Sequence, residues 1–347
     1  MKILVTGHNG YIGSVMAPFL TEVGHDVTGA DTFFYEGCDL VPDRTKIPSA
    51  RVDIRDIGPR FLEGYEAVVH LAALSNDPLG ALDPRLTFDV NLAGTLQLAR
   101  AARHAGVRRF LFASSCSMYG ASDPDAYVDE EAPLAPLTSY AKSKVQAEEQ
   151  LAELADEAFS PVFMRNATVY GVSPRLRADV VLNNLVGWAF TTGEVKVLSD
   201  GTPCRPIVHV EDVARVALAL LEAPIAVVHN QAFNVGANDE NYRVSELAEI
   251  ACDTVPGSRI EYAEGGGPDP RSYRVDFRKL QRTLPNYRPR WNARRGAQEL
   301  LDAYRSVGLT LEAFQADRYV RLARLKLLIE QGTLDEELRW RNGTSSR

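Results

Sequence analysis

The stretch KILVTGHNGYIG, residues 2–13, joins a short apolar run to a glycine-rich turn, and SVMAPFLTEVG after it has the apolar spacing of a helix. Strand, glycine turn and helix form the unit from which a parallel sheet with a phosphate site at its edge is built. Gly7, Gly10 and Gly13 suit such a turn because it is tight, because its backbone must approach phosphates, and because the helix must pack closely on the strand. The helix N-terminus then presents N–H groups and a positive dipole end to an anion. Asn9, Tyr11 and Ile12 stand between the glycines and share the expected cofactor contact. A glycine triplet alone says little; here the second strand, DVTGAD, also closes on an acidic residue, Asp31, 24 positions after Gly7. Asp31 is expected to accept hydrogen bonds from the adenosine ribose hydroxyls and to repel a 2′-phosphate. Residues 32–35, Thr-Phe-Phe-Tyr, offer no arginine for such a phosphate, so NAD rather than NADP is the expected cofactor.

Outward from this unit, strand-like runs (DVTGAD, EAVVHLAA, RRFLFASS) alternate with helical ones such as NLAGTLQLARAARHAG. That alternation predicts an α/β fold with a doubly wound parallel sheet of Rossmann type, covered on both faces. PVFMRN reads as a further buried strand; beyond it Pro, Gly and Arg become frequent. RPIVHVEDVARVALALLEA then returns to strand and helix, and QAFNVG to one more strand. The expected division is residues 1–168 plus 207–236 for the NAD-binding domain and 169–206 plus 237–310 for a smaller, discontinuous α+β substrate domain. Residues 311–347 form a C-terminal helical extension, an amphipathic helix on its own protein or a second subunit, with a disordered tail, NGTSSR.

The chain has 347 residues, 45% of them hydrophobic, a formal charge of −8 and a pI near 5.4, which disfavours nucleic acid as a partner. No apolar run is long enough to span a membrane, and the start lacks the core of a signal peptide. Cys38, Cys116, Cys204 and Cys252 lie far apart without metal spacing, so a reducing, cytoplasmic setting and no metal are expected.

The segment TSYAKSK, residues 138–144, sets Tyr140 four positions before Lys144. That spacing makes them neighbours on a helix without making them catalytic. The strand RRFLFASS, however, ends in Ser115 at the sheet edge where the glycine turn should hold the cofactor. A phenol is a poor base at neutral pH, and a neighbouring ammonium together with a cationic nicotinamide favours its ionised form. Tyr140 is thus expected to take a hydroxyl proton as hydride leaves the same carbon, Ser115 to hold the developing carbonyl oxygen, and Lys144 to bind the nicotinamide ribose and tune Tyr140.

In this order GHNGYIG, Asp31, DIRD at 53–56, HLAA at 70–73, NLAGT from Asn91, SSCSMYG and YAKSK resemble the extended short-chain dehydrogenase/reductase family, in its nucleoside-diphosphate-sugar epimerase/dehydratase branch. The likeness covers about residues 1–300. It implies that Asp53 and Ile54 lie beside the adenine, that Leu71, Ala72 and Ala73 turn near the cofactor phosphates, and that Asn91 belongs to the cofactor site. By the same likeness Asn166 meets both the nicotinamide end and a sugar diphosphate. Ser117, Asn184, Leu185, Arg205 and one of Arg271 and Arg274, with Arg271 favoured, face the substrate, and His209 is structural. A homodimer is implied as well, through helices near 90–104 and 140–157.

Two departures narrow the chemistry. The 4,6-dehydratase branch carries Asp and Glu directly after the triad hydroxyl, where this chain has Cys116 and Ser117; sugar-uronate decarboxylases usually want a Glu there. Cys116 has two readings: a thiol that moves a proton beside a transient ketone, or a small buried side chain that fills space. The expected reaction is 4-epimerisation of a nucleoside-diphosphate sugar by transient oxidation. A 4-ketoreductase or unusual dehydratase is the alternative among enzymes, and a catalytically inactive NAD-binding regulatory protein the alternative of another class.

Overall fold

The computed structural model describes residues 1–43, 45–75, 83–121, 126–263 and 271–341. Its apolar runs pair edge to edge because a backbone buried on both faces can satisfy its N–H and C=O groups only against another strand. Strands β1 (Lys2–Thr6), β2 (Asp26–Asp31), β3 (Ser49–Arg51), β4 (Ala67–His70), β5 (Arg109–Ser115), β6 (Ser160–Asn166) and β7 (Gln231–Val235) make one wholly parallel sheet. Their spatial order is β7-β6-β5-β4-β1-β2-β3. Connections therefore diverge on either side of β1, which opens a crevice at the carboxyl ends of β1 and β4.

Side chains alternate across this sheet. Ile3 and Val5 join a core with Met16 and Leu20 of α1 (Gly13–Glu22), while Leu4 and Val68 face Leu98 of α2 (Thr95–His104) and Ala147 of α3 (Ser139–Glu153). Helices α4 (Val181–Thr192), α5 (Val210–Glu222), α6 (Val244–Thr254), α7 (Ala293–Ser306) and α8 (Arg321–Glu330) complete the larger elements. Val213, Val216 and Leu220 of α5 enter the first core, whereas α4, α6 and α7 build a separate one around Leu182, Leu247 and Leu300.

One element sits elsewhere than its sequence suggests. The returning strand, Cys204–His209, does not rejoin the large sheet; it pairs in parallel with Thr168–Tyr170 and antiparallel with Asn241–Arg243. Among the described residues α5 and β7 come back to the first domain, and the short helix Arg278–Thr283 packs there as well through Leu280. The extension does pack on its own chain: Leu325, Leu328, Leu334 and Leu338 bury against Phe34 and Leu74. The tail, 342–347, lies outside the described residues. Among the described residues no helix is long and apolar enough to cross a membrane.

At the crevice, His70 lies between two hydroxyls, with Nδ1 2.6 Å from Thr6 Oγ1 and Nε2 2.8 Å from Thr95 Oγ1. Burial, helped by the charge of Lys144, pushes its imidazole down from 6.5 to about 3. Below pH 6.5 the unfolded chain takes up a proton that the folded chain refuses until about pH 3, so stability falls as pH drops through that window. Urea midpoints measured as a pH series should decline on the acid side of 6.5, and His70→Gln should make the decline shallower; an unchanged slope would contradict the buried neutral imidazole.

Candidate active site

The glycine loop is built from backbone contacts too close for side chains. A Cβ on Gly13 would stand 2.2 Å from the Gly7 carbonyl oxygen, and one on Gly7, at φ 74°, would stand 2.7 Å from the Ala72 nitrogen. The Gly10 N–H donates to the Gly7 carbonyl at 3.0 Å, and no side chain caps the start of α1. The Ser14 and Val15 N–H groups donate to the Gly10 and Ile12 carbonyls at 3.0 and 3.1 Å, so an anion would meet the positive end of the helix dipole and the loop before them. Asp31 ties the loop to the turn after β2, accepting from the Asn9 N–H at 2.9 Å and the Phe33 N–H at 2.7 Å. Phe33 adopts φ 58°, costly for a bulky residue; besides the Asp31 bond, the Arg51 guanidinium lies 4.6 Å over its ring. Tyr11 is pinned across the crevice, donating to the Gly171 carbonyl at 2.7 Å, and burial raises its phenol well above the usual range.

Across the crevice, Ser115 ends β5 and its Oγ accepts the Ser117 N–H at 3.1 Å. Thr138 starts α3, its Oγ1 accepting the Ala141 N–H at 3.2 Å; this cap sets Tyr140 in the first turn and Lys144 one turn further on the same face. Lys144 is buried and donates from Nζ to the Ala113 carbonyl at 2.8 Å, with Nζ 5.8 Å from the centre of the Tyr140 ring. Burial lowers its ammonium to about 7, while Glu148 one turn on works the other way. Ser117 Oγ and Asn166 Oδ1 are buried and, among the described residues, have no hydrogen-bond partner.

All these groups open on one cleft of about 910 Å³, large enough for a dinucleotide's reacting half and a second ligand. On its dinucleotide side lie Gly7, Gly10, Tyr11, Ile12, Gly13 and Asp31, with Asp53, Ile54, Leu71, Ala72 and Ala73 opposite. At its centre are Ser115, Ser117, Tyr140, Lys144 and Asn166, and on the far side Asn184, Leu185, Arg205 and Arg271. The residues present fit NAD: a loop whose Cβ positions are closed by backbone, a carboxylate at the ribose turn, and buried polar atoms left over at the reacting end. Arg274 does not line the cleft, and His209 lies apart, 2.8 Å from Glu299 and stacked on Trp291.

Three expectations need correction. Cys116 does not reach the cleft; its thiol is 1% exposed and donates to the Arg165 carbonyl at 3.1 Å, and burial pushes it far above the usual thiol range. It fills space and carries no proton for the substrate. Asn91 is also outside, its amide spent on the Leu74 backbone, accepting at 2.8 Å and donating at 3.1 Å. Asn9 braces the loop instead of lining the cleft, its Oδ1 accepting from Arg175 Nε at 2.9 Å. Asp53 does line it, yet its carboxylate is held in the fork of Arg55, at 2.7 and 3.0 Å. Although burial opposes the charge, that fork keeps the carboxyl below the usual range.

Sequence reading missed Arg177 and Asp179, which line the cleft as a two-bond pair at 2.7 and 2.9 Å. Burial works against the Arg177 charge, but Asp179 holds it well above the ordinary guanidinium range, within electrostatic reach of Tyr11 and Tyr140. It also missed Ser75, Thr168, Lys196 and Tyr273, and Arg321 and Leu338 from the extension. The only local signal was the run of arginines in VSPRLRAD, where the periodicity breaks.

The family model described as "NAD dependent epimerase/dehydratase family" matches residues 3–236. A UDP-glucose 4-epimerase of Corynebacterium glutamicum is 31% identical over 302 residues, 82% of this chain and 90% of that protein. Among solved structures, the UDP-glucose 4-epimerase of Thermus thermophilus in complex with NAD is 26% identical with a TM-score of 0.74. MoeE5 in complex with UDP-glucuronic acid and NAD is 27% identical with a TM-score of 0.76. Each of the two is covered over 99% of its length by 88% of this chain.

Alanine at Gly13 should displace the loop backbone, and NAD affinity measured by calorimetry should fall by about tenfold or more. Gly58→Ala, at a position with nothing within 4 Å of its Cβ, should leave affinity unchanged.

Proposed function

Because this chain belongs to the NAD dependent epimerase/dehydratase family, we propose that it inverts the hydroxyl at carbon 4 of a nucleoside-diphosphate sugar through a transient ketone. Bound NAD supplies a hydride acceptor that is restored within each turnover. Tyr140 takes the proton of the carbon-4 hydroxyl and returns it when the ketone is reduced on its other face. Lys144 is held at the Ala113 carbonyl; phenolate and ammonium stabilise each other there, so the first proton transfer needs no outside base. Ser115 donates to the oxygen of the developing ketone, where a fixed donor in a dry cleft is most effective. Arg205, Arg271 and Lys196 on the far wall suit a diphosphate, and the planar fork of Arg can bind two of its oxygens at once.

The observation that carries this reading is the meeting of Ser115, Tyr140 and Lys144 in one cleft whose carboxylates are already engaged. Among the described residues that line it these are Asp31, Asp53 and Asp179, held by backbone N–H groups, by Arg55 and by Arg177. Elimination of water needs an acid and a base beside the sugar; the residues after Ser115 supply a buried thiol and a serine. Epimerisation through a transient ketone needs no acid or base besides Tyr140.

Two coarser expectations extend from this reading. The free thiols at Cys38, Cys116, Cys204 and Cys252 support a reducing compartment, and we place the protein in the cytoplasm. We also propose a homodimer through the outward faces of α2 and α3. Exposed Gln97, Arg100, Lys142, Gln146 and Glu149 would make that interface polar. Light scattering should give twice 38.2 kDa; a monomer would remove the interface without touching the chemistry.

UDP-glucose and UDP-glucuronic acid are the substrates to try first. With added substrate and no NADH, the carbon-4 epimer should accumulate and a deuterium at carbon 4 should stay on the sugar. Tyr140→Phe should lower kcat by about 10²–10⁴-fold while NAD still co-purifies. Turnover that requires NADH would point to a reductase, and full activity of the phenylalanine variant would end the assignment of Tyr140.

A further inference from the structure

The extension ends over the ribose turn. The Trp340 indole N–H donates to the Thr32 carbonyl at 2.8 Å, and Arg339 pairs with Asp56 at 2.5 Å and Asp53 at 3.4 Å. Arg55 donates to the Glu337 carbonyl at 3.0 Å. Leu338, 2% exposed, is buried with Phe34 and Leu74 and lines the cleft. Arg321, at the start of α8, reaches the same wall from the other end of the segment. Its guanidinium lies 3.8 Å over the Tyr35 ring and donates from Nη2 to the Arg175 carbonyl at 2.7 Å. Arg175 in turn holds Asn9 of the glycine loop.

Arg321 is 3% exposed, makes no ion pair among the described residues, and its buried Nη1 has no hydrogen-bond partner there. Burial lowers its guanidinium below the ordinary range. An arginine buried without a carboxylate is costly and is left so only where something else meets it. It lines the same cleft as the glycine loop, is linked to that loop through Arg175 and Asn9, and lies against Tyr35 of the turn after Asp31; a dinucleotide places its two phosphates between such a loop and turn.

The geometry points to residues 321–341 as a strap that closes the adenosine end of the NAD site, with Arg321 donating from Nη1 to the pyrophosphate. The inference rests on the dinucleotide site at Gly7–Gly13. Its consequence is slow cofactor exchange, suited to an enzyme that regenerates NAD in every turnover: the ligand pairs the buried cation, and the cation holds the ligand.

The test is calorimetry on the NAD-free full chain with NAD, ADP-ribose and adenosine, together with the release rate of bound NAD. Arg321→Met keeps the stem and removes the fork. It should weaken NAD and ADP-ribose by about tenfold or more, speed NAD release in proportion, and leave adenosine unchanged. Arg321→Lys should recover part of the loss, and the melting temperatures of both NAD-free variants check the fold. Wild-type affinity for NAD in the methionine variant, or an equal loss for adenosine, overturns the pyrophosphate contact. A wild-type chain that binds none of the three overturns the dinucleotide site itself.

Discussion

One buried ammonium sets the reacting geometry. The bond from Lys144 to the Ala113 carbonyl fastens α3 to β5, so that a phenol on the helix and a serine at the strand end face the same space. Burying a lone cation is unfavourable, which is why the ammonium drops to about 7. The same helix face supplies a counterweight: Tyr140, Lys144 and Glu148 recur every four residues and form one stripe. Glu148 pairs with Arg165 of β6 at 2.8 Å, and Arg165 donates onward to the Tyr119 hydroxyl at 3.2 Å and the Glu130 carbonyl at 3.0 Å. Tyr119 completes the chain by donating to Asn234 of β7 at 2.7 Å. Such a network is favourable only because its members are satisfied together, and with the Lys144 bond it ties the position of α3 to three strands. Cys116, inside it, has a packing role.

Of the buried polar atoms without a hydrogen-bond partner among the described residues, three belong to side chains that line the cleft, while others, such as His8 Nδ1, Thr87 Oγ1 and Tyr287 Oη, lie elsewhere. The three are Ser117 Oγ and Asn166 Oδ1, which share the cleft with Ser115 and Tyr140, and Arg321 Nη1 at the wall formed by the extension. Folded proteins rarely leave such atoms unpaired, and departures from local rules collect at functional sites. The charges agree. The chain carries −8 overall, yet Arg177, Arg205, Arg271, Arg321, Lys144 and Lys196 all reach the cleft wall. A cationic cleft in an acidic protein concentrates anionic ligands without inviting polyanions to the rest of the surface. This suits a cofactor and a substrate that each carry two phosphates.

The sheet, its parallel order and the crevice were legible in the sequence because the signals behind them are local: apolar runs of strand length, helical periodicity, glycines before a helix, an acidic residue after the second strand. Ser115, Tyr140 and Lys144 were legible for a related reason: Ser115 ends a strand, Tyr140 stands in the first turn of a helix whose start Thr138 announces, and Lys144 follows one turn later. Asn91 and Cys116 misled because the motif positions they occupy fix a residue's place in the chain and leave the direction of its side chain open. Asn91 spends its amide on Leu74, and Cys116 turns toward the Arg165 carbonyl. The strand Cys204–His209 misled because its apolar pattern is the same whether it pairs with β7 or, as here, with Thr168–Tyr170.

The sequence by itself determined the fold class, the glycine loop at the end of β1 and the placing of Ser115, Tyr140 and Lys144 at one edge of the sheet, since propensity, spacing and glycine placement act within a few residues of one another. Only the tertiary structure decided that Arg177 comes within electrostatic reach of Tyr140, that three carboxylates of the cleft are already held, and that a helix some 300 residues from the glycine loop brings Arg321 to the same cleft. Those meetings depend on burial and charge between distant segments, and no local pattern encodes a contact that exists only after the chain has closed on itself.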